Sequence, residues 1–284
     1  VAVLALSSAD RLPPDARRLA EGARADLPAI LGRCHDEARG SGAPAPASCH
    51  SRPGVAPTFA LWGDSHAMAW QPFAWRIADE AGASAAPMTL NACPPGDGLA
   101  GATEACQRFN REAIAWLSRQ PIDTLVVAAR WPIGYSRAGP APAILSRHVD
   151  ALSSALARLG HVRRILVMGP LPDLMQAAPE CISLGWEADC SRAAPDHRAR
   201  VERAWGELDR LARRHANVVL VDPTGYFCDE LTCPPVRHGF GLYWDSNHVT
   251  ASASRGFAEA YLADPARYTR RPRDATVETD LSTP

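Results

Sequence analysis

Thr58-Phe59-Ala60-Leu61-Trp62-Gly63-Asp64-Ser65-His66 is an apolar run that ends in a glycine-containing turn carrying a serine. Consecutive apolar side chains predict a short strand buried on both faces. Ala67 to Ala81, ending before Gly82, then reads as a helix. Ser65 therefore falls at the carboxyl end of a strand and the N-terminus of a helix. Backbone N–H groups there lack intrahelical acceptors, and a developing oxyanion is stabilised by them. On position alone, the reading of Ser65 as a helix cap prevails, since serine is common there.

The same alternation continues along the chain. Ala85 to Leu90, Thr124 to Ala129, Val162 to Met168 and Val218 to Val221 read as further apolar strands. Glu104 to Arg119, Ala143 to Leu159, Ala194 to His215 and Ala251 to Leu262 read as helices, the last with Thr250 as its cap. Such a pattern predicts an α/β fold: an open, doubly wound parallel sheet of about five strands with helices on both faces. Sites in these sheets lie at the carboxyl ends of strands. Residues 1–55 differ, with one helical stretch from Asp15 to Ile30 and a Gly/Ala/Pro/Ser-rich loop from Arg39 to Ala47. They are expected to form an N-terminal extension or linker, followed by a main domain over 56–268 and a polar tail over 269–284.

Composition sets limits on function. With 284 residues, 46% of them hydrophobic, the chain buries a real core. Its formal net charge of −1 gives no electrostatic footprint for nucleic acid. The opening run Val1 to Leu6 is too short to span a bilayer and lacks a signal peptide's basic flank. A chain opening on valine is expected to be a processed or trimmed piece, with room for an anchor upstream. The eight cysteines fall into four sequence-local pairs, Cys34–Cys49, Cys93–Cys106, Cys181–Cys190 and Cys228–Cys233. Disulfides at these pairs imply an oxidising compartment. The competing reading, a metal site, is disfavoured because no C-x-x-C occurs and no histidines repeat at zinc-finger spacing. No P-loop, G-x-G-x-x-G or H-E-x-x-H is present either.

Trp244-Asp245-Ser246-Asn247-His248-Val249-Thr250 is the second informative stretch. A serine hydroxyl is a weak nucleophile until a base takes its proton, and that base needs a carboxylate to fix its tautomer. Asp245 and His248 are spaced so that one turn brings them together. Taken alone, the stretch also reads as a polar cap on the last helix. Serine after the first strand together with D-x-x-H before the last helix resembles the SGNH hydrolase and acyltransferase superfamily, with a flavodoxin-like three-layer fold. L-W-G-D-S-H-A, Cys93-Pro94-Pro95, Ala128 to Trp131 and D-S-N-H resemble, more narrowly, the SGNH domain attached to bacterial acyltransferase-3 membrane proteins. Arg11-Leu12-Pro13 and the cysteine-bracketed loop resemble that group's periplasmic extension.

That resemblance implies Ser65 as nucleophile, His248 as base and Asp245 as orienting acid. It implies O-acylation, usually O-acetylation, of a cell-envelope glycan such as the O-antigen of lipopolysaccharide. It further implies a periplasmic domain tethered to the inner membrane by an upstream acyltransferase-3 domain, with acetyl-CoA as the ultimate acyl source and no directly bound cofactor. The isolated domain is expected to be monomeric. The superfamily's glycine after strand two and its G-x-N-D motif are absent, since these regions read Thr89-Leu90-Asn91-Ala92-Cys93 and Ala129-Arg130-Trp131. The Ser65 N–H and Asn91 are read as the oxyanion donors. Arg130 reads either as an anion-binding group or as half of a structural ion pair, and Trp131 either as packing or as a sugar platform. Asp64 and His66 read as shaping the serine's turn. Two alternatives use the same residues differently: an extracytoplasmic carbohydrate acetylesterase with this triad, and a catalytically silent glycan-binding module.

Overall fold

The computed structural model describes residues 14–35, 46–131, 142–185 and 190–272. Besides single-turn helices at Thr224–Phe227 and Pro265–Tyr268, the described helices include α1 (Pro14–Ala25), α2 (Ser65–Ala69), α3 (Gln71–Glu80), α4 (Glu104–Leu117), α5 (Pro142–Ala157), α6 (Ala178–Leu184), α7 (Ala194–Arg214) and α8 (Ala251–Ala263). The main sheet is built from β1 (Pro57–Gly63), β2 (Ser84–Thr89), β3 (Thr124–Ala128), β4 (Arg164–Met168), β5 (Val218–Val221) and β6 (Thr269–Arg270). Its order is β6-β5-β4-β3-β1-β2, with β1 to β5 parallel. The order reverses between β1 and β3, so the crevice where such sheets bind ligands opens at the carboxyl end of β1.

The two faces separate by the period of two that a strand imposes. Leu61, Val126 and Leu166 face one core with Trp70 and Phe73 of the α2–α3 segment and Phe257 of α8. Trp62, Val127 and Val167 face the other with Ile114 of α4, Leu152 of α5 and Trp205 of α7. Burial on both sides explains why β1, β3 and β4 read as unbroken apolar runs.

Three expectations need correcting. The helix read over Ala67 to Ala81 is two helices, broken at Trp70 (φ −81°, ψ 5°). Pro72 has no N–H to return to the preceding turn, so the first helix cannot run through it. The helix expected from Asp15 to Ile30 stops at Ala25, close before Leu27-Pro28, because the residue before a proline is pushed out of the helical region. The tail expected from residue 269 begins later, for Thr269 and Arg270 add an antiparallel edge strand to β5.

All eight cysteines are bridged in the four sequence-local pairs. The first bridge, Cys34–Cys49, packs with Ile30 against Met68 of α2 and Trp244. Nearby, the Ser51 hydroxyl accepts the Ala85 N–H of β2 at 2.9 Å, and Ser252 N–H donates to Asp26 at 3.0 Å. The described part of residues 1–55 is thus packed onto the sheet and α8. Arg11-Leu12-Pro13, most of the loop from Arg39 to Ala47, and the tail from residue 273 lie outside the described residues. No described helix is long and apolar enough to cross a membrane.

Candidate active site

The turn after β1 is shaped by Gly63. A Cβ there would lie 1.8 Å from the Ala128 carbonyl oxygen, so no larger residue fits where β1 lies against β3. Asp64 follows as the cap of α2. One of its carboxylate oxygens accepts the His66 N–H at 2.8 Å, and the other accepts the Arg130 N–H at 2.8 Å. Asp64 is 3% exposed, and burial raises its pKa although these N–H donors pull the other way. Its carboxyl thus ties the β1 turn to the end of β3 and leaves Ser65 as the first residue of α2.

The acid–base stretch is a tight loop closed by the Tyr243–Val249 bridge and by Trp244 N–H donating to the His248 carbonyl at 3.1 Å. Within it, one Asp245 oxygen accepts the Asn247 N–H at 2.8 Å and the His248 N–H at 2.7 Å. The other oxygen accepts the His248 Nδ1–H at 2.6 Å, and His248 Nε2 meets Ser65 Oγ at 2.8 Å. Carboxylate, imidazole and hydroxyl therefore form one continuous line. Burial pushes the Asp245 pKa up, but the His248 hydrogen bond and charge and the two N–H donors outweigh it, and the net direction is down. Asp245 is thereby held as a carboxylate against the His248 ring.

Several residues outside this line hold it in place. The Trp244 ring stacks on His248 with centroids 5.2 Å apart and an 11° tilt. In the segment after β4, Leu174 N–H donates to the Ser246 carbonyl at 2.8 Å and Ala178 N–H to the Asp245 carbonyl at 2.9 Å. Trp244 was legible beside the motif, whereas nothing in the sequence around Leu174 signals this role.

The remaining expected site residues separate. Asn91 lies exposed just past β2, next to Leu90, whose N–H donates to the Gly63 carbonyl at 3.1 Å. That places it beside the turn that carries Ser65. Arg130 follows β3 and makes an ion pair with Asp173 at 3.6 Å while 37% of its side chain stays exposed. Trp131 corrects the sugar-platform reading. It is 3% exposed, packs in the core with Trp205 and Val167, and donates its indole N–H to the Met168 carbonyl at 2.7 Å. A ring buried on both faces offers none to a sugar. Among the described residues, no cluster of His, Cys, Asp and Glu is arranged to hold a metal ion.

The family model for the SGNH domain fused to AT3 domains matches residues 33–263. Among solved structures, the chain is similar to the periplasmic domain of a lipopolysaccharide acetyltransferase from Salmonella ser. Paratyphi A. The identity is 15% and the TM-score 0.58, over 91% of this chain and 99% of that one. A protein from Slackia heliotrinireducens, proposed to be an SGNH hydrolase, aligns at 18% identity and TM-score 0.45 over 73% of this chain and 97% of that one. No curated protein sequence matches the chain significantly.

Proposed function

The chain belongs to the SGNH domains that are fused to AT3 domains, and from that premise we propose that it is a serine O-acyltransferase, moving acetyl groups onto a cell-envelope glycan outside the cytoplasm. The observation that carries the reading is the Asp245–His248–Ser65 line, with links of 2.6 and 2.8 Å. The four disulfides support an oxidising compartment. The lipopolysaccharide acetyltransferase domain of similar fold favours a surface glycan as acceptor. The acyl group reaches this domain from acetyl-CoA through an upstream AT3 membrane domain.

His248 Nε2 takes the Ser65 proton as Oγ bonds to the acyl carbonyl carbon, whose π electrons move onto oxygen. The Ser65 N–H and Asn91 hold that oxyanion. Collapse expels the leaving group, which receives the proton from His248, and acyl-serine remains. A glycan hydroxyl then attacks, gives its proton to His248, and leaves as the ester while Ser65 is restored. Asp245 keeps the imidazole in the required tautomer throughout. One observation favours a second reading, an esterase: the His248 and Asp245 side chains are 19% and 37% exposed, so the site is open to solvent.

Intact-protein mass after brief incubation with p-nitrophenyl acetate tests the assignment. A single acetyl group on the Ser65 peptide of wild type, absent from Ser65→Ala, is expected. Turnover without an adduct would select the esterase. Neither adduct nor turnover in protein carrying its membrane domain would refute the assignment.

A further inference from the structure

The Ser65–His248 hydrogen bond breaks and re-forms in every cycle, so it cannot by itself keep the two segments in register. They come from opposite ends of the fold, β1 and the loop before α8. The backbone bonds from Leu174 and Ala178 anchor the acid–base loop on its far side, to the segment after β4. On its near side stands His66, the residue after the nucleophile.

His66 is 5% exposed, and its Nε2 lies 3.2 Å from Asn247 Oδ1. Asn247 is 7% exposed, and its Nδ2 donates to the Ser246 hydroxyl at 3.0 Å, which leaves Oδ1 as the acceptor for a His66 Nε2–H. The Asn247 backbone N–H donates in turn to the Asp245 carboxylate at 2.8 Å. The His66 and His248 rings sit 4.8 Å apart with a 45° tilt. A neutral imidazole is needed in that position, because an imidazolium would repel the cation that forms on His248 during the reaction. Burial, followed by repulsion from a protonated His248 and from Arg130, lowers the His66 pKa well below its ordinary value and so favours the neutral ring.

We propose that His66 and Asn247 are positioning residues, which lock the acid–base loop onto the nucleophile's turn through an imidazole–amide hydrogen bond that catalysis never breaks. The proposal rests on the acyl-serine reading above. It assigns His66 a role through Asn247 and Asp245 rather than on the substrate. A neutral donor at position 66 is what the geometry requires, and the amide of glutamine supplies one where phenylalanine does not.

The test compares His66→Phe, His66→Gln, Asn247→Leu and the double variant His66→Phe/Asn247→Leu with wild type and Ser65→Ala. The readouts are p-nitrophenyl acetate turnover and the downfield imidazole N–H proton resonance of the short His248–Asp245 bond. A misplacement of about 1 Å costs on the order of 100-fold, so His66→Phe and Asn247→Leu are expected to lower kcat by roughly 10–100-fold with KM nearly unchanged. The double variant should be no slower than the worse single, as expected for one shared interaction. His66→Gln should recover most of the rate, and the downfield resonance should be lost in His66→Phe and kept in His66→Gln. Wild-type kcat and resonance in folded His66→Phe, with Ser65→Ala inactive, would overturn the positioning role and leave the nucleophile standing. Equal losses in His66→Phe and His66→Gln, or losses that multiply in the double variant, would also overturn it. Full activity in Ser65→Ala would remove the acyl-serine reading and the positioning role together. If wild type turns the ester over too slowly to compare, the resonance decides alone.

Discussion

Replacing Gly63 by alanine tests the link between the sheet and the turn that carries Ser65. The new Cβ would lie 1.8 Å from the Ala128 carbonyl oxygen, 2.9 Å from Ala67 Cβ and 3.0 Å from the Ala128 carbonyl carbon. None of these is the tip of a flexible side chain. Ala128 is fixed by its ladder position opposite Gly63, and Gly63 has φ +153°, a conformation L side chains rarely adopt. Ordinary contact therefore requires the end of β1 to move by roughly 1 Å or more. Ser65 lies two residues further on, and the Asp64–Arg130 bond of 2.8 Å spans the same gap. Overpacking of this kind costs about 1–3 kcal/mol, with Tm falling by roughly 2–4 °C for each. Under the proposed acyl-serine mechanism, displacing Ser65 by that distance costs on the order of 100-fold in rate. The assay is p-nitrophenyl acetate turnover beside a thermal melt. Gly160→Ala is the control, since nothing lies within 4 Å of a Cβ at that position and its φ is not positive. Wild-type rate and Tm in Gly63→Ala would refute the close-approach argument.

Three other outcomes follow from the packing. Burial, then the Arg192 and Arg198 charges, lowers the pKa of His197 from 6.5 to about 4. The unfolded chain therefore binds this proton first as pH falls. Its contribution is fully present above pH 6.5 and is lost towards pH 4, by about 3 kcal/mol. Urea midpoints in that window should flatten in His197→Leu, which also removes a buried Nε2 without a hydrogen-bond partner among the described residues. Cys34→Ser/Cys49→Ser opens a loop of sequence separation 15, and a loop of that size is worth about 3 kcal/mol. Because that bridge packs on Met68 and Trp244, ester turnover should fall with stability; unchanged turnover would show that the extension does not support the site. Trp131→Ala should cost about 3–5 kcal/mol in chemical denaturation while KM for the ester holds. A raised KM for glycan acceptors with unchanged stability would restore the sugar-platform reading.

The fold was legible where residues carry their own periodicity. β1, β3, β4 and β5 are apolar runs because both faces are covered, and α4, α5, α7 and α8 announce themselves by helical spacing, α4 and α8 also by the threonines that cap them. α6 was not legible, because Ala178–Leu184 is short and follows a proline-rich segment whose role is set by what it touches. Thr269 and Arg270 were not legible either. Two polar residues become a strand only because β5 has a free edge beside them.

At the candidate site, Ser65, Asp245 and His248 were legible only as a pair of motifs: the turn after β1 and the D-x-x-H stretch each read alone as helix caps, and together they resemble the SGNH pattern. The local cysteine pairing was equally visible, because short loops need little from the rest of the chain. What the tertiary structure decided is everything that joins segments distant in sequence. It set the 2.8 Å approach of His248 to Ser65, the His66–Asn247 bond, and the grip of Leu174 and Ala178 on the acid–base loop. It also turned Trp131 inward, onto the Met168 carbonyl, rather than outward to a ligand. Local sequence fixes backbone preference and side-chain chemistry. Which groups meet depends on sheet order, and here the reversal between β1 and β3 puts the crevice, and with it the chemistry, beside Ser65.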